Sequence, residues 1–181
     1  MHRRPLIEAL EAYKPFRDRD RASAEQTLAF VRATPDCFER SCLPGHVTGS
    51  AWVVDAAGGS ALLTHHRKLD IWIQPGGHCD GDPDVFAVAA REAWEETGIA
   101  GLVPARPGIF DVDVHPFPER HGFPEHLHFD VRIALRAPAD ARFAVSDESH
   151  DLAWVPLDRL DAYTTDASVR RLRDRWVRDG G

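Results

Sequence analysis

The spacing of apolar residues changes along the chain, and each change marks an element. Residues 5–33 repeat at helical spacing, with Leu6, Leu10 and Tyr13 on one stripe and Ala24, Leu28 and Val31 on another. KPFRDRD breaks the two apart. Residues 34–46 read as a connecting loop. From Val47 the pattern becomes that of strands: VTGSAWVV, the turn DAAGG and SALLTHHRK predict a hairpin, and IWIQPGG a third strand running into a Pro-Gly-Gly loop. Residues 83–97 return to helical spacing, with Asp82 as N-cap, Pro83 as first helical residue and Gly98 as the stop. FDVDVH and EHLHFDVRIAL are strands around the loop PFPERHGFP. AWVPL is a short strand, LDRLDAY is helical, and the last helix places Val169, Leu172, Trp176 and Val177 on one face. Strands, a central helix, further strands and a final helix predict an α+β fold layered as an α/β/α sandwich. Residues 1–45 form an N-terminal helical extension and residues 46–181 the main domain.

The helix at 83–97 carries the most informative chemistry. At about 100° per residue, Glu92, Glu95 and Glu96 fall on one side, at i, i+3 and i+4. Phe86, Ala90, Ala93 and Thr97 fall on the other and suit a core. Three carboxylates on one face repel one another. Arg91 can neutralise Glu95 at i+4, but one arginine does not balance three acids. The face is either simply solvated or holds a hard divalent cation with oxygen ligands, magnesium being the usual choice beside phosphates.

The spacing around that helix favours the second option. Gly77, Arg91, Glu92, Ala93, Glu95, Glu96, Gly98 and Ile99 stand in the register of the Nudix box. The chain therefore resembles the Nudix hydrolases, and IWIQPGG resembles the family's entry into the box. The resemblance implies a Nudix-type α/β/α sandwich with a mixed sheet. It also implies hydrolysis of a phosphoanhydride bond in a nucleoside diphosphate linked to another moiety, with Mg2+, or alternatively Mn2+, as cofactor. By the same resemblance Glu92, Glu95 and Glu96 bind metal and act in catalysis, the Gly76 carbonyl joins them, and Arg91 orients them. The first box glutamate is missing: Pro83 stands there, flanked by Asp82 and Asp84. Two other functions share the fold. One is an isoprenoid-diphosphate isomerase, whose Cys and His-rich metal site His78, Cys79, His126 and His128 loosely echo. The other is a non-catalytic nucleotide-sensing module, for which a retained glutamate set has no chemical use.

EHLHFDVRIAL alternates strictly. Leu127, Phe129, Val131, Ile133 and Leu135 share one face; His126, His128, Asp130 and Arg132 share the other. The polar stripe either faces solvent or lines the cleft beside the box helix, where His126, His128 and Asp130 would hold phosphate or an extra metal. His65, His66, Arg67 and Lys68 are a wet hairpin end or a phosphate contact. His78 and Cys79 lie in the box loop, where His78 can face substrate and Cys79 is more often an idle buried thiol. SDESHDLAWVPLDRL resembles the family's acidic loop. Glu148 is its candidate for an additional metal-binding or basic carboxylate, with Asp147 as the alternative.

Composition narrows the partners. A net charge of −7 with no basic stripe disfavours nucleic acid, whereas a small anionic substrate remains compatible if a cation mediates contact. No apolar run approaches the roughly 18 residues that span a bilayer. The start MHRRPLIEALEAYKPF lacks the apolar core of a signal peptide. Three cysteines, an odd count, do not build a disulfide framework. A cytoplasmic enzyme without membrane or nucleic-acid partners is expected, and the N-terminal helices offer a surface for a two-fold homodimer.

Overall fold

The computed structural model describes residues 2–67, 69–119, 122–147 and 149–181. In chain order the elements are α1 (Arg4–Ala12), α2 (Asp18–Ala33), β1 (Gly45–Val54), β2 (Ser60–His66), β3 (Ile71–Ile73), β4 (Gly76–His78), α3 (Val85–Thr97), β5 (Val103–Pro104), β6 (Asp111–Phe117), β7 (His126–Arg136), β8 (Ser149–Pro156) and α4 (Ala167–Arg178). A 3-10 helix, Leu157–Ala162, precedes α4.

The expected α+β sandwich with a mixed sheet is observed. β1 and β7 run parallel at its centre, paired from Gly45–Leu127 to Val54–Arg136. Every residue of β1 is buried, as a strand covered on both faces requires. The remaining pairs are antiparallel and divide the length of the central strands between them. β4 takes Thr48–Ser50 of β1, while β2 pairs with its far end at Val54. β6 takes the first half of β7 and β5 its end. This division curls the sheet. It also splits the expected strand IWIQPGG into two, because β3 pairs with β2 and β4 with β1.

One face of β1, through Val47, Ala51 and Val53, packs on α3 and on the apolar sides of α1 and α2. The N-terminal helices thus share a core with the sheet: Leu6, Leu10, Ala24 and Val31 are buried with Val85, Val88 and Phe129. At Gly49 a Cβ would lie 3.0 Å from the Val85 carbonyl oxygen and 3.1 Å from the Ala89 nitrogen. The absent side chain lets α3 lie close on the sheet. The opposite face carries Trp52 and Val54 against Val169, Leu172 and Trp176 of α4. Val177 does not join them and is 60% exposed, while Arg171 and Arg175 are buried in α4 instead.

α3 begins two residues later than its sequence pattern suggests. Asp82 Oδ1 accepts the Asp84 N–H at 2.9 Å, which holds Pro83 in a turn, and Asp84 caps the helix by accepting from the Ala87 N–H at 3.0 Å. Gly98 ends it in the left-handed region at φ 69°. Among the described residues no helix is long and apolar enough to cross a membrane.

Candidate active site

α3 buries Val85, Val88, Ala89, Ala93 and Thr97 against the sheet, which leaves Glu92, Glu95 and Glu96 along its other flank. The three are not equally exposed. Glu96 is only 6% exposed and accepts the Gly76 N–H at 2.8 Å, whereas Glu95 is open. Glu92 lies over Gly77, where a Cβ would sit 2.3 Å from its Oε2. A side chain at 77 would push the Glu92 carboxylate out of this position. Glu96 is drawn inward by accepting the Gly76 N–H.

Glu92, Glu95 and Glu96 line one small pocket together with Ser146. Ser146 Oγ is buried with no hydrogen-bond partner among the described residues. A carboxylate-rich pocket with an unsatisfied hydroxyl is an all-oxygen donor set and fits a hard divalent cation. The segment carrying Ser146 is fixed to the end of α3 by the Ala144 N–H donating to the Thr97 carbonyl at 2.8 Å. Sequence reasoning pointed to this loop for its acids and missed the serine. Glu148 lies outside the described residues, and Asp147 is exposed.

Arg91 stands among the acids, 3.5 Å from Glu92 Oε1 and 3.9 Å from Glu95 Oε1. It also reaches Asp82 Oδ2 at 3.5 Å. Pro83 has no carboxylate to offer, so its preceding residue makes the contact.

The polar stripe of β7 faces neither solvent nor the glutamates. β7 is an interior strand, and its stripe lies on the sheet face opposite α3, beside His46, Thr48 and Ser50 of β1 and Asp111, Asp113 and His115 of β6. Asp130 is enclosed, accepting from Thr48 Oγ1 (3.0 Å), Ser50 Oγ (2.7 Å) and Arg132 Nε (2.6 Å). Arg132 is 2% exposed and also pairs with Asp111 at 3.3 Å. Arg171 of α4 reaches Asp111 at 2.8 Å, Asp113 at 3.0 Å and Asp20 of α2 at 3.3 Å. This network ties α2 and α4 to the sheet. Burial outweighs Arg132 and Arg171 at Asp111 and pushes its carboxyl up. At Asp113 burial opposes but loses to the His115 hydrogen bond and the same two arginines, which hold it down. The expectation that Asp130 contacts substrate is corrected, since its oxygens already serve the fold.

At the other end of the stripe the histidines gather. His46, His78 and His128 offer ring nitrogens all within 4.8 Å of one another, so the cluster could coordinate a divalent metal. His126 Nε2 lies 3.2 Å from His128 Nε2, and its Nδ1 donates to the Pro124 carbonyl at 2.8 Å. Burial, reinforced by neighbouring cations, pushes His46 and His78 down to about 4. His128 falls lower still, first by burial and then by the histidines around it. Sequence reasoning missed His46: it joins His128 only through parallel pairing of strands more than 80 positions apart.

His65 and Arg67 lie elsewhere, on β2 and just beyond it. His65 stacks on Trp72 and contacts Asp70 at 3.0 Å; Arg67 donates to the Ser149 carbonyl at 3.0 Å. His66 accepts the Leu69 N–H at 3.3 Å. Lys68 lies outside the described residues. Cys79 is 1% exposed, and burial pushes its thiol far up, which removes it as a nucleophile.

A sequence model of the NUDIX domain matches residues 44–176. Over 115 residues the chain is 28% identical to a putative 8-oxo-dGTP diphosphatase of Bacillus subtilis (strain 168), covering 62% of this chain and 68% of that one. Over 57 residues it is 46% identical to phosphatase NudJ of Escherichia coli (strain K12), covering 30% of this chain and about a third (36%) of NudJ. Among solved structures it is similar to a C. elegans Ap4A hydrolase (TM-score 0.60, 18% identity, 74% of this chain and 96% of that one). It is also similar to a MutT protein of Methanosarcina mazei Go1 (TM-score 0.56, 24% identity, 74% and 93%).

Proposed function

This chain belongs to the NUDIX domain family, and from that premise we propose that it is a metal-dependent pyrophosphohydrolase. Its substrate is a nucleoside diphosphate linked to another moiety, cleaved at the phosphoanhydride bond. The observation that carries this function is the one pocket shared by Glu92, Glu95, Glu96 and the Ser146 hydroxyl, which has no hydrogen-bond partner among the described residues. The names of an 8-oxo-dGTP diphosphatase and an Ap4A hydrolase among similar proteins support a nucleotide as the organic part.

Glu92, Glu95 and Glu96 would hold Mg2+ or Mn2+, with the Gly76 carbonyl as a further ligand. When bound, the cation screens the diphosphate charge and lowers the pKa of water. Arg91 keeps Glu92 and Glu95 oriented through its two contacts. Glu148 is retained from its sequence position, two residues after Ser146, as the carboxylate that takes the proton from attacking water. His65 and Arg67 keep solvent access and remain substrate contacts in this proposal, whereas His78 turns to the enclosed His126 and His128.

A panel of nucleoside triphosphates, dinucleoside polyphosphates and nucleoside diphosphate sugars, with products resolved by ion-exchange chromatography, tests this. Cleavage of at least one with Mg2+, abolished by excess chelator and restored by Mg2+ or Mn2+, is expected. Full turnover in chelator, or no cleavage of any anhydride with Mg2+, overturns it.

A further inference from the structure

We propose that His46, His78 and His128 form a second metal site, separate from the glutamate pocket, for a borderline transition-metal dication of the zinc class. His126 stands beside it against His128. This inference does not rest on the phosphoanhydride chemistry above.

The geometry is already close to a binding geometry. With metal–nitrogen bonds of about 2.0–2.1 Å, tetrahedral ligand nitrogens stand roughly 3.3 Å apart. The three nitrogens of His46, His78 and His128 lie within 4.8 Å of one another. Small ring rotations close the remaining distance. His126 steadies the His128 ring from outside, because its Nδ1–H donates to the Pro124 carbonyl and leaves the Nε2 lone pair directed at His128. His46 supplies an independent sign. It is 1% exposed, and its ring nitrogens find no well-aligned hydrogen-bond partner among the described residues, with only the backbone of Cys42 close enough to favour its protonated form. Such a group destabilises the fold unless something binds it.

The donor set selects the metal. Imidazole nitrogens suit zinc, cobalt, nickel and copper, whereas magnesium requires oxygen. Compensating charge is near at hand: one step down the same face begins the network of Asp130, Asp113, Asp111 and Asp20. These four carboxylates face two buried guanidiniums, Arg132 and Arg171, with Arg19 reaching Asp113 from solvent at 3.5 Å.

The ligands come from β1, β4 and β7, so the cation would clamp three strands. β4 has only three residues and gains most. Gly76 at its start donates to Glu96, two positions before His78. The clamp therefore fixes the strand that positions the glutamate pocket, without lying in it.

The test uses full-length protein stripped with chelator. Titration with Co2+ should give visible bands of tetrahedral coordination that saturate at one equivalent, vanish on adding Zn2+ and persist in excess Mg2+. His78→Ala and His128→Asn should weaken binding at least tenfold, while Glu95→Gln leaves it unchanged. Saturating Zn2+ should raise Tm by roughly 5 °C or more. X-ray absorption of the zinc-loaded wild type, which needs no variant to fold, should show three imidazole neighbours. Absence of the tetrahedral Co2+ spectrum, a carboxylate shell by X-ray absorption, or binding lost in Glu95→Gln but kept in His78→Ala overturns the site.

Discussion

Two clusters of titratable side chains flank the three residues of β4, and they are opposites. On the α3 side, Glu92, Glu95 and Glu96 gather negative charge in a partly open pocket, anchored by the Gly76 N–H. On the other side, His46, His78 and His128 gather neutral imidazoles in a buried one, with His46 and His78 held down to about 4. The donor atoms make the difference. Carboxylate oxygens suit a hard cation, while buried imidazoles shed their protons and present nitrogen lone pairs to a softer one. The same short strand thus separates two kinds of ligand chemistry.

The largest effect that can divide these regions is on turnover. Glu95→Gln and Glu96→Gln should each lower kcat by about a thousandfold, equivalent to roughly 4 kcal/mol, because the amide cannot hold the cation. Both should remain folded. The side-chain amide introduced by Glu96→Gln keeps an oxygen to accept the Gly76 N–H, and the loss of charge at 95 relieves repulsion with Glu92 by a few tenths of a kcal/mol. Near-normal rates at saturating Mg2+ in both variants would make the face merely solvated and remove the contrast between the clusters.

The next effect is on stability and belongs to the histidines. In metal-free protein, His46 and His78 titrate near 4 when folded, against about 6.5 when unfolded. Between those values the unfolded chain binds more protons. Stability is therefore fully present above about pH 6.5 and is lost as pH falls towards 4. Urea denaturation should show a loss on the order of 3 kcal/mol between pH 7 and pH 5. His78→Ala should flatten that dependence and Glu95→Gln should leave it alone. A pH-independent midpoint across this range in the wild type would mean that the imidazoles are not sheltered.

The two clusters were also unequally legible in the sequence. Helical spacing is local, so the placement of Glu92, Glu95 and Glu96 on one flank followed from positions i, i+3 and i+4. The alternation of β7 was equally clear, yet it reveals only that two faces differ. What each face meets depends on strand order. Parallel pairing with β1 brings His46 to His128, and antiparallel pairing with β6 brings Asp113 to Asp130; neither has a local sequence signal. Central burial of a polar stripe is also unusual enough that a solvent-facing or cleft-facing strand was the natural expectation. Val177 failed for a related reason. It is apolar at helical spacing, but the buried places around it on α4 are taken by Arg171, paired with Asp111, and Arg175, which donates to the Tyr13 hydroxyl and the Lys14 carbonyl.

The smallest effect concerns the residue that replaces a missing one. Pro83 occupies the place of the first box glutamate, and Asp82 Oδ2 lies 3.5 Å from Arg91 Nη1. Both side chains are more than a third exposed, so the pair stabilises the fold by less than about 1 kcal/mol. Its proposed value is positional, since Arg91 also reaches Glu92 and Glu95 and a second anchor narrows the orientations it samples. Asp82→Asn should then lower kcat by only about two- to fivefold, near 0.4–1 kcal/mol, with KM unchanged. Asp82 Oδ1 also accepts the Asp84 N–H, a bond that Asn can keep, so the turn before α3 should survive and Tm should move little. Restoring the glutamate makes the experiment stricter. Pro83→Glu combined with Asp82→Asn should recover the lost rate if a carboxylate beside Arg91 is what matters. Failure of that rescue, with the fold intact, would mean that Asp82 acts only on the turn and that Arg91 is oriented by the glutamates alone.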